Sequence, residues 1–231
     1  MVKSTIPTKP MTDLAKHAGR LAFAASAVFV VLLAALHVLK PEVDSSWRFI
    51  SEYEIGDYGW MMRLAFVVLG LSCAALGIAI LSQVRTVGGY LGLALLAVSA
   101  VGMALAGIFV SDPITAARDA RTVSGRLHEI GAMLDGVPFA ALLINGSLAR
   151  DRAWSFARRT LFWTAWLPLA GALAFAAFMA VLLPAHGGTP GPDVLVGWPN
   201  RMMILAHCDW LMPVAWCAIR LRGGTVSADA T

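Results

Sequence analysis

Residues 88–107 read GGYLGLALLAVSAVGMALAG, twenty consecutive residues without a charged side chain. About 20 helical residues cross the hydrocarbon core of a bilayer. The run is continuous and does not alternate between apolar and polar residues, so it predicts a helix rather than a strand of a barrel. Its many small residues favour close packing against neighbouring helices. This stretch therefore predicts a transmembrane helix inside a bundle.

Five further apolar runs of similar length accompany it. The chain of 231 residues is 58% hydrophobic and only 14% charged, whereas a soluble domain is about one quarter charged. The sequence thus predicts an all-α, polytopic transmembrane bundle of six helices over residues 18–221, between an N-terminal segment (1–17) and a polar tail (222–231). The predicted helices cover residues 18–39, 61–82, 88–111, 127–149, 160–183 and 198–220.

Basic residues precede the first run, as they do in a secretory signal. The run is longer than the apolar region of a signal peptide, and no cleavage site of the A-x-A type follows it. We therefore expect the first helix to be retained in the mature protein.

The charged residues are distributed unevenly between the two sides of the predicted bundle. The termini and the two connections that would share their side hold 11 Lys and Arg against 3 acids, while the other connections and the adjoining helix ends hold 7 against 9. Basic residues accumulate on the cytoplasmic side of membrane proteins. The pattern predicts cytoplasmic termini, and it explains the net charge of +4 without a nucleic-acid partner.

Polar side chains converge on the predicted outer end of the bundle. The loop 40–60 there is rich in aromatic and acidic residues, which suits an interfacial cap. Charged groups within spans normally face the interior and have partners. We therefore expect an outward-facing polar pocket, with its rim at His37, Asp112, His128 and Arg201 and its floor at Asp135, His207 and Asp209.

Several short blocks resemble a known family. These blocks are LHVLKPEVDSSWRFISEYEIGDYGW (36–60), the Asp-Pro pair at 112–113, SGRLHEIGA (124–132) and PNRMMI (199–204). They resemble the domain-of-unknown-function family 998, whose members are six-helix membrane proteins of bacteria and archaea. The resemblance implies a prokaryotic cytoplasmic (inner) membrane and no established activity. It implies site positions at His37, Ser51, Glu52, Tyr53, Asp112, His128 and Arg201.

Three functions fit these residues, and the sequence does not decide whether the protein is an enzyme. The first is a non-catalytic pocket for a lipid or small amphiphile. The second is a metal-dependent hydrolase of a lipid ester or amide, with zinc or a similar divalent ion on His37, Asp112 and His128, and with Ser51, Asp112 and His128 as catalytic candidates. The third is a proton-coupled transporter, with a series of titratable groups from His128 through Asp135 to His207 and Asp209. Haem on two of the histidines has no further support, and the sequence leaves the oligomeric state open.

Overall fold

The computed structural model describes residues 11–188 and 190–221. It confirms an all-α bundle with six helical segments long and apolar enough to cross a membrane, so the chain is a multi-pass membrane protein. The predicted segment 1–17 lies mostly, and the tail 222–231 entirely, outside the described residues. The helices are α1 (Asp13–Leu39), α2 (Gly59–Ile80), α3 (Val87–Ile108), α4 (Val123–Met133), α5 (Val137–Leu148), α6 (Arg158–Ala185) and α7 (Gly197–Ile219).

The first helix begins earlier than the predicted residue 18. Thr12 caps it, since the Thr12 hydroxyl accepts a hydrogen bond from the backbone N–H of Ala15 at 3.2 Å. Such a cap satisfies a donor that the helix itself cannot. Thr86 caps α3 in the same way through Gly89, at 3.0 Å.

The spans form a closed ring in chain order. Each packs against its sequence neighbours, α7 returns to α1, and α2 also contacts α7 across the centre. We call the end that holds the loop between α1 and α2 the capped end. Small residues permit close approach, since a Cβ on Gly102 would lie 2.5 Å from the carbonyl oxygen of Gly131. The close packing predicted for residues 88–107 is therefore confirmed.

The fourth span is interrupted, so the prediction of one continuous helix over 127–149 is wrong. The pieces α4 and α5 are separated at Leu134–Gly136. Pro138 explains the break, because its ring excludes the helical position of the Leu134 carbonyl and it has no N–H to donate. The freed N–H of Gly136 donates to the Ser99 hydroxyl at 2.8 Å. Asp135 lies within this break.

Candidate functional site

A short 3-10 helix, Ile50–Glu54, closes the capped end of the bundle. Its residues Glu52, Tyr53 and Glu54 are buried although two of them are acidic. The segment is anchored at its start by the N–H of Ile50, which donates to Asn200 of α7 at 3.0 Å. The predicted loop 40–60 therefore folds as a cap whose polar side chains point into the bundle.

The two buried carboxylates of the cap have charged or polar partners. Glu52 accepts two hydrogen bonds from Arg48, at 2.8 and 3.1 Å, and one from the backbone N–H of Ile114 at 2.9 Å. The bonds to Glu52 raise the pKa of Arg48, which therefore stays charged. Glu54 accepts from the N–H of Ser111 at 2.8 Å. These contacts fix the loop between α3 and α4 to the cap. We call this region, which contains Glu52, Glu54 and their partners, the acid side.

His128 completes the acid side. Its Nδ1 lies 2.9 Å from the carbonyl oxygen of Ala106, 3.0 Å from that of Phe109 and 3.3 Å from the Glu54 carboxylate. All three neighbours can only accept, so Nδ1 carries a hydrogen. The side chain is 5% exposed. His128 thus joins the end of α3 to the cap.

Arg201 occupies the opposite side of the cap. We call this region, which consists of Arg201, His37, Tyr53 and Trp198, the arginine side. Its Nε donates to His37 at 2.9 Å, and its Nη2 donates to the Tyr53 hydroxyl at 3.3 Å. Its Nη1 donates to the backbone carbonyls of Arg48 and Gly197, at 2.7 and 3.0 Å. The Arg201 residue is only 2% exposed. All of these partners are uncharged.

His37 has one defined tautomer on the arginine side. Its Nδ1 lies 2.7 Å from the Leu33 carbonyl oxygen, to which it must donate. Its Nε2 accepts the hydrogen bond from Arg201. Both nitrogens are therefore occupied, and the one lone pair available for a metal, on Nε2, accepts the hydrogen bond from Arg201.

Asp112 serves the loop before α4. Its carboxylate accepts from the N–H and the hydroxyl of Thr122, at 2.8 and 2.9 Å, and Thr122 itself caps α4. This is the local role expected of an acid beside a proline in a tight connection.

The structure does not bring His37, Asp112 and His128 together as metal ligands. Among the described residues no group of three or more His, Cys, Asp or Glu side chains could hold a metal ion. The physical reason is that each of the three is committed to a different connection: His37 to Arg201, Asp112 to Thr122 and His128 to the end of α3. The predicted metal set is therefore corrected.

Ser51 lies at the boundary between the cap and the loop after α3. Its backbone carbonyl accepts from the Ser111 hydroxyl at 2.9 Å. Within the described ranges, no histidine forms a hydrogen bond with the Ser51 hydroxyl. The geometry thus gives Ser51 a structural contact through its main chain.

Asp135 and His207 meet inside the bundle, as their similar predicted depth suggested. The Asp135 carboxylate lies 2.8 Å from His207 Nε2, and His207 Nδ1 lies 2.7 Å from the Met203 carbonyl oxygen. Since Nδ1 must donate to that carbonyl, the bond between Nε2 and the carboxylate needs one further proton. The pair therefore shares a proton and is neutral overall.

Asp209 does not join this pair, so its predicted place on the pocket floor is wrong. It is exposed on the outer surface of α7, whereas His207 is buried. Residues two apart on a helix are separated by about 200° around its axis, at about 3.6 residues per turn. A buried His207 therefore directs Asp209 away from the bundle.

Sequence reasoning missed several buried polar groups, of which Glu54 and Asn145 are two. Glu54 alternates with Glu52 around Tyr53, and that symmetry was the available signal. Asn145 lies in an apolar run without any motif, yet its amide accepts from Trp210 Nε1 at 3.1 Å and donates to the Leu161 carbonyl at 2.8 Å. It ties α5 to α6 and α7.

Comparison with known proteins supports the resemblance seen in the short blocks. The family described as "Protein of unknown function (DUF998)" matches residues 23–217. No curated protein and no solved structure matches the chain. The matched region contains α2 to α6 completely and all of the cap. The chain therefore belongs to the DUF998 family.

Proposed function

We propose that this protein is a non-catalytic binding protein of the prokaryotic cytoplasmic membrane, and that its capped end faces outward and binds the anionic head group of a lipid or small amphiphile. The excess of basic residues around the opposite end supports this orientation. The aromatic side chains exposed at the capped end, Tyr58, Trp60 and Trp198, suit the head-group interface.

The buried guanidinium of Arg201 carries the proposal. Among the residues that the structure describes, no carboxylate lies within ion-pair distance of it. The exposed Asp44 is held instead by Ser46, whose hydrogen bonds lower the pKa of Asp44, with only a weaker contribution from Arg201. A buried charge is costly unless it is paired. An anion at this position would supply the missing counter-charge.

The surroundings of Arg201 suit a phosphate or carboxylate. Nη2 has a second hydrogen beyond the one that Tyr53 accepts, and the other guanidinium N–H groups are already donated to described residues, so an anion here would accept one charge-assisted hydrogen bond. The Trp198 ring lies 5.9 Å from the guanidinium carbon and is 56% exposed. It marks the direction from which a head group would approach, with the apolar chain along the membrane face of α7.

The contacts of the acid side favour binding over hydrolysis. His128, Asp112 and Ser51 each hold part of the loop between α3 and α4. Side chains committed to holding a loop are poorly placed to activate water or an ester. The hydrolase therefore has no supporting contact in the described chain.

Native mass spectrometry of the purified protein tests this proposal. The protein in mild detergent is mixed with short-chain phosphatidic acid, short-chain phosphatidylcholine or inorganic phosphate. We expect retention of phosphatidic acid and not of phosphatidylcholine, because only the former presents an accessible anion. Retention of inorganic phosphate alone would assign the site to a free anion and not to an amphiphile.

Arg63→Gln is the matched control for Arg201→Gln. Arg63 belongs to α2 at the same end and donates to the carbonyls of Gly107 and Ile108, both at 3.3 Å, but it is exposed. We expect Arg201→Gln to lose at least about 90% of the bound phosphatidic acid, equivalent to a tenfold loss of affinity. Equal losses in the two variants would contradict the proposal.

Proton-coupled transport remains a second candidate because of the broken span. Interrupted helices with an acid at the break occur at the coupling sites of transporters. Here the break contains Asp135, which shares a proton with His207. Proton uptake by proteoliposomes under an imposed pH gradient, compared between the natural protein and Asp135→Asn, tests this function. Equal flux in both would exclude a coupling role for the pair.

A further inference from the structure

The membrane-facing surface of α7 carries an acid near the middle of the span. Asp209 is exposed close to the midpoint of α7 (Gly197–Ile219), which is long and apolar enough to cross the membrane. In the described part of the chain its carboxylate has no hydrogen bond or ion pair. Asp135, at similar depth, is instead paired within the bundle. A carboxylate at this depth is unfavourable towards lipid, so it requires a partner.

The acid lies in a groove between α1 and α7. The groove has a volume of about 450 Å³ and is lined by Phe23, Cys208, Asp209, Met212, Pro213 and Trp216. The Phe23 and Trp216 rings pack together with their centroids 5.9 Å apart. The groove is therefore an apolar depression with one charged group, which matches a side chain that has an apolar stem and a cationic tip.

Pro213 removes the regular helical donor of a second acceptor at the same point. In a regular helix the backbone N–H of residue 213 would donate to the carbonyl of Asp209, but proline has no N–H. The main-chain carbonyl of Asp209 therefore lacks its regular donor, and its carboxylate has no side-chain donor among the described residues. An ammonium or guanidinium group has several N–H donors and can satisfy both acceptors.

The depth of Asp209 in the membrane determines what kind of molecule can place an ammonium or guanidinium group beside it. The basic head of a lipid or of an amphiphilic amine resides at the membrane surface, whereas a transmembrane helix can hold a lysine at the bilayer centre against a buried acid. A second copy of this chain does not fit. Across the described spans, every Lys and Arg lies within about two turns of a helix end.

We propose that the groove between α1 and α7 docks a transmembrane helix of another protein, one that carries a lysine or arginine at mid-membrane depth, and that Asp209 is its counter-charge. The docking surface lies on the membrane face of the bundle, and Arg201 lies buried under the cap. The two sites are separate, and head-group binding is not required for helix docking.

Energy transfer in phosphatidylcholine vesicles tests the docking. The full-length protein carries a donor dye, and leucine-rich peptides of about 24 residues carry the acceptor. One peptide has a central lysine, a second has leucine there, and a third has its lysine near one end. We expect the central-lysine peptide to bind at least about tenfold more tightly than the other two.

Asp209→Asn should reduce binding of the central-lysine peptide to the level of the leucine peptide. Because the Asp209 carboxylate has no partner among the described residues of the bundle, this variant should retain the helical content of the natural protein by circular dichroism. Equal binding of the three peptides, or an unchanged preference in Asp209→Asn, would overturn the proposal. Competition by dodecylamine as strong as that by the peptide would overturn the helix as occupant. Self-association that depends on Asp209 would replace it with a second copy.

Discussion

On the acid side of the cap, Glu52 and Glu54 each meet a backbone N–H and a basic side chain, whereas on the arginine side Arg201 meets only neutral acceptors. Glu52, Glu54 and Arg201 are all buried at the same end of the bundle. Buried carboxylates that hold other parts of the chain mainly fix structure, although Glu54 Oε1 has no hydrogen-bond partner among the described residues, while a buried charge without a counter-charge has capacity left for a ligand. The comparison therefore assigns the acid side to the fold and the arginine side to binding.

The largest expected effect is on the acid side. Glu54→Ala removes the carboxylate that accepts from the Ser111 N–H and pairs with His128. Both groups stay buried but lose this acceptor. Breaking a buried pair by removing one partner costs about 3–5 kcal/mol. We expect a clear fall in the unfolding temperature in mild detergent, measured by tryptophan fluorescence.

Glu129→Ala is the control for this change. Glu129 is also an acid near the capped end, but it pairs with Arg121 at the surface, and both side chains are more than one third exposed. Such pairs contribute about 0–1 kcal/mol. Similar unfolding temperatures for Glu54→Ala and Glu129→Ala would contradict the structural role that we assign to the acid side.

A steric substitution tests whether Asp112 belongs with the structural groups. A Cβ on Gly125 would lie 2.0 Å from the Asp112 carboxylate, which is bonded to Thr122. Gly125→Ala should therefore displace this contact and destabilise the protein by about 1–3 kcal/mol, as overpacking does. Gly146→Ala meets open space and should be neutral or stabilising by up to about 1 kcal/mol. Thermal unfolding of the two variants side by side checks this, and a neutral Gly125→Ala would contradict it.

The smallest expected effect comes from a substitution on the arginine side. It distinguishes the Tyr53 hydroxyl from the Arg201 guanidinium as the group that binds the anion. Tyr53→Phe removes only the hydroxyl, which accepts from Arg201 at 3.3 Å and lies 3.4 Å from the Ser45 hydroxyl, both long contacts. The loss should be about 0.5–1.5 kcal/mol of stability, as for one hydrogen bond. Stabilisation by an anionic amphiphile should persist in this variant. Its disappearance would assign the head group to Tyr53 and not to Arg201.

The helices were largely predictable from sequence because long apolar runs have few alternatives in a membrane. The break before α5 was missed because apolar residues continue on both sides of Asp135, and only Pro138 signals it. The sequence predicted which residues lie near one end of the bundle, but it did not predict which of them form hydrogen bonds with one another. The depth of a residue in the membrane follows from counting residues along its helix, whereas the direction of its side chain depends on the rotation of the helix about its axis. Asp209 was misplaced for that reason.

The partners within the cap could not be derived from the sequence. The pairing of Glu54 with His128 joins residues far apart in the chain and depends on how deeply the 3-10 helix Ile50–Glu54 enters the bundle. Three separated groups near one membrane surface suggested a metal site. The structure instead gives each of them a different partner: Arg201 for His37, Thr122 for Asp112 and the end of α3 for His128.

The most direct test of the central claim is a titration of unfolding temperature against short-chain phosphatidic acid for the natural protein, Arg201→Gln and Arg63→Gln. Binding to the folded state at 100 times the dissociation constant stabilises it by about 2.7 kcal/mol. We predict that the unfolding temperature rises with ligand concentration in the natural protein and in Arg63→Gln, and stays constant in Arg201→Gln. An equal rise in all three proteins would contradict the assignment of Arg201 as the binding group.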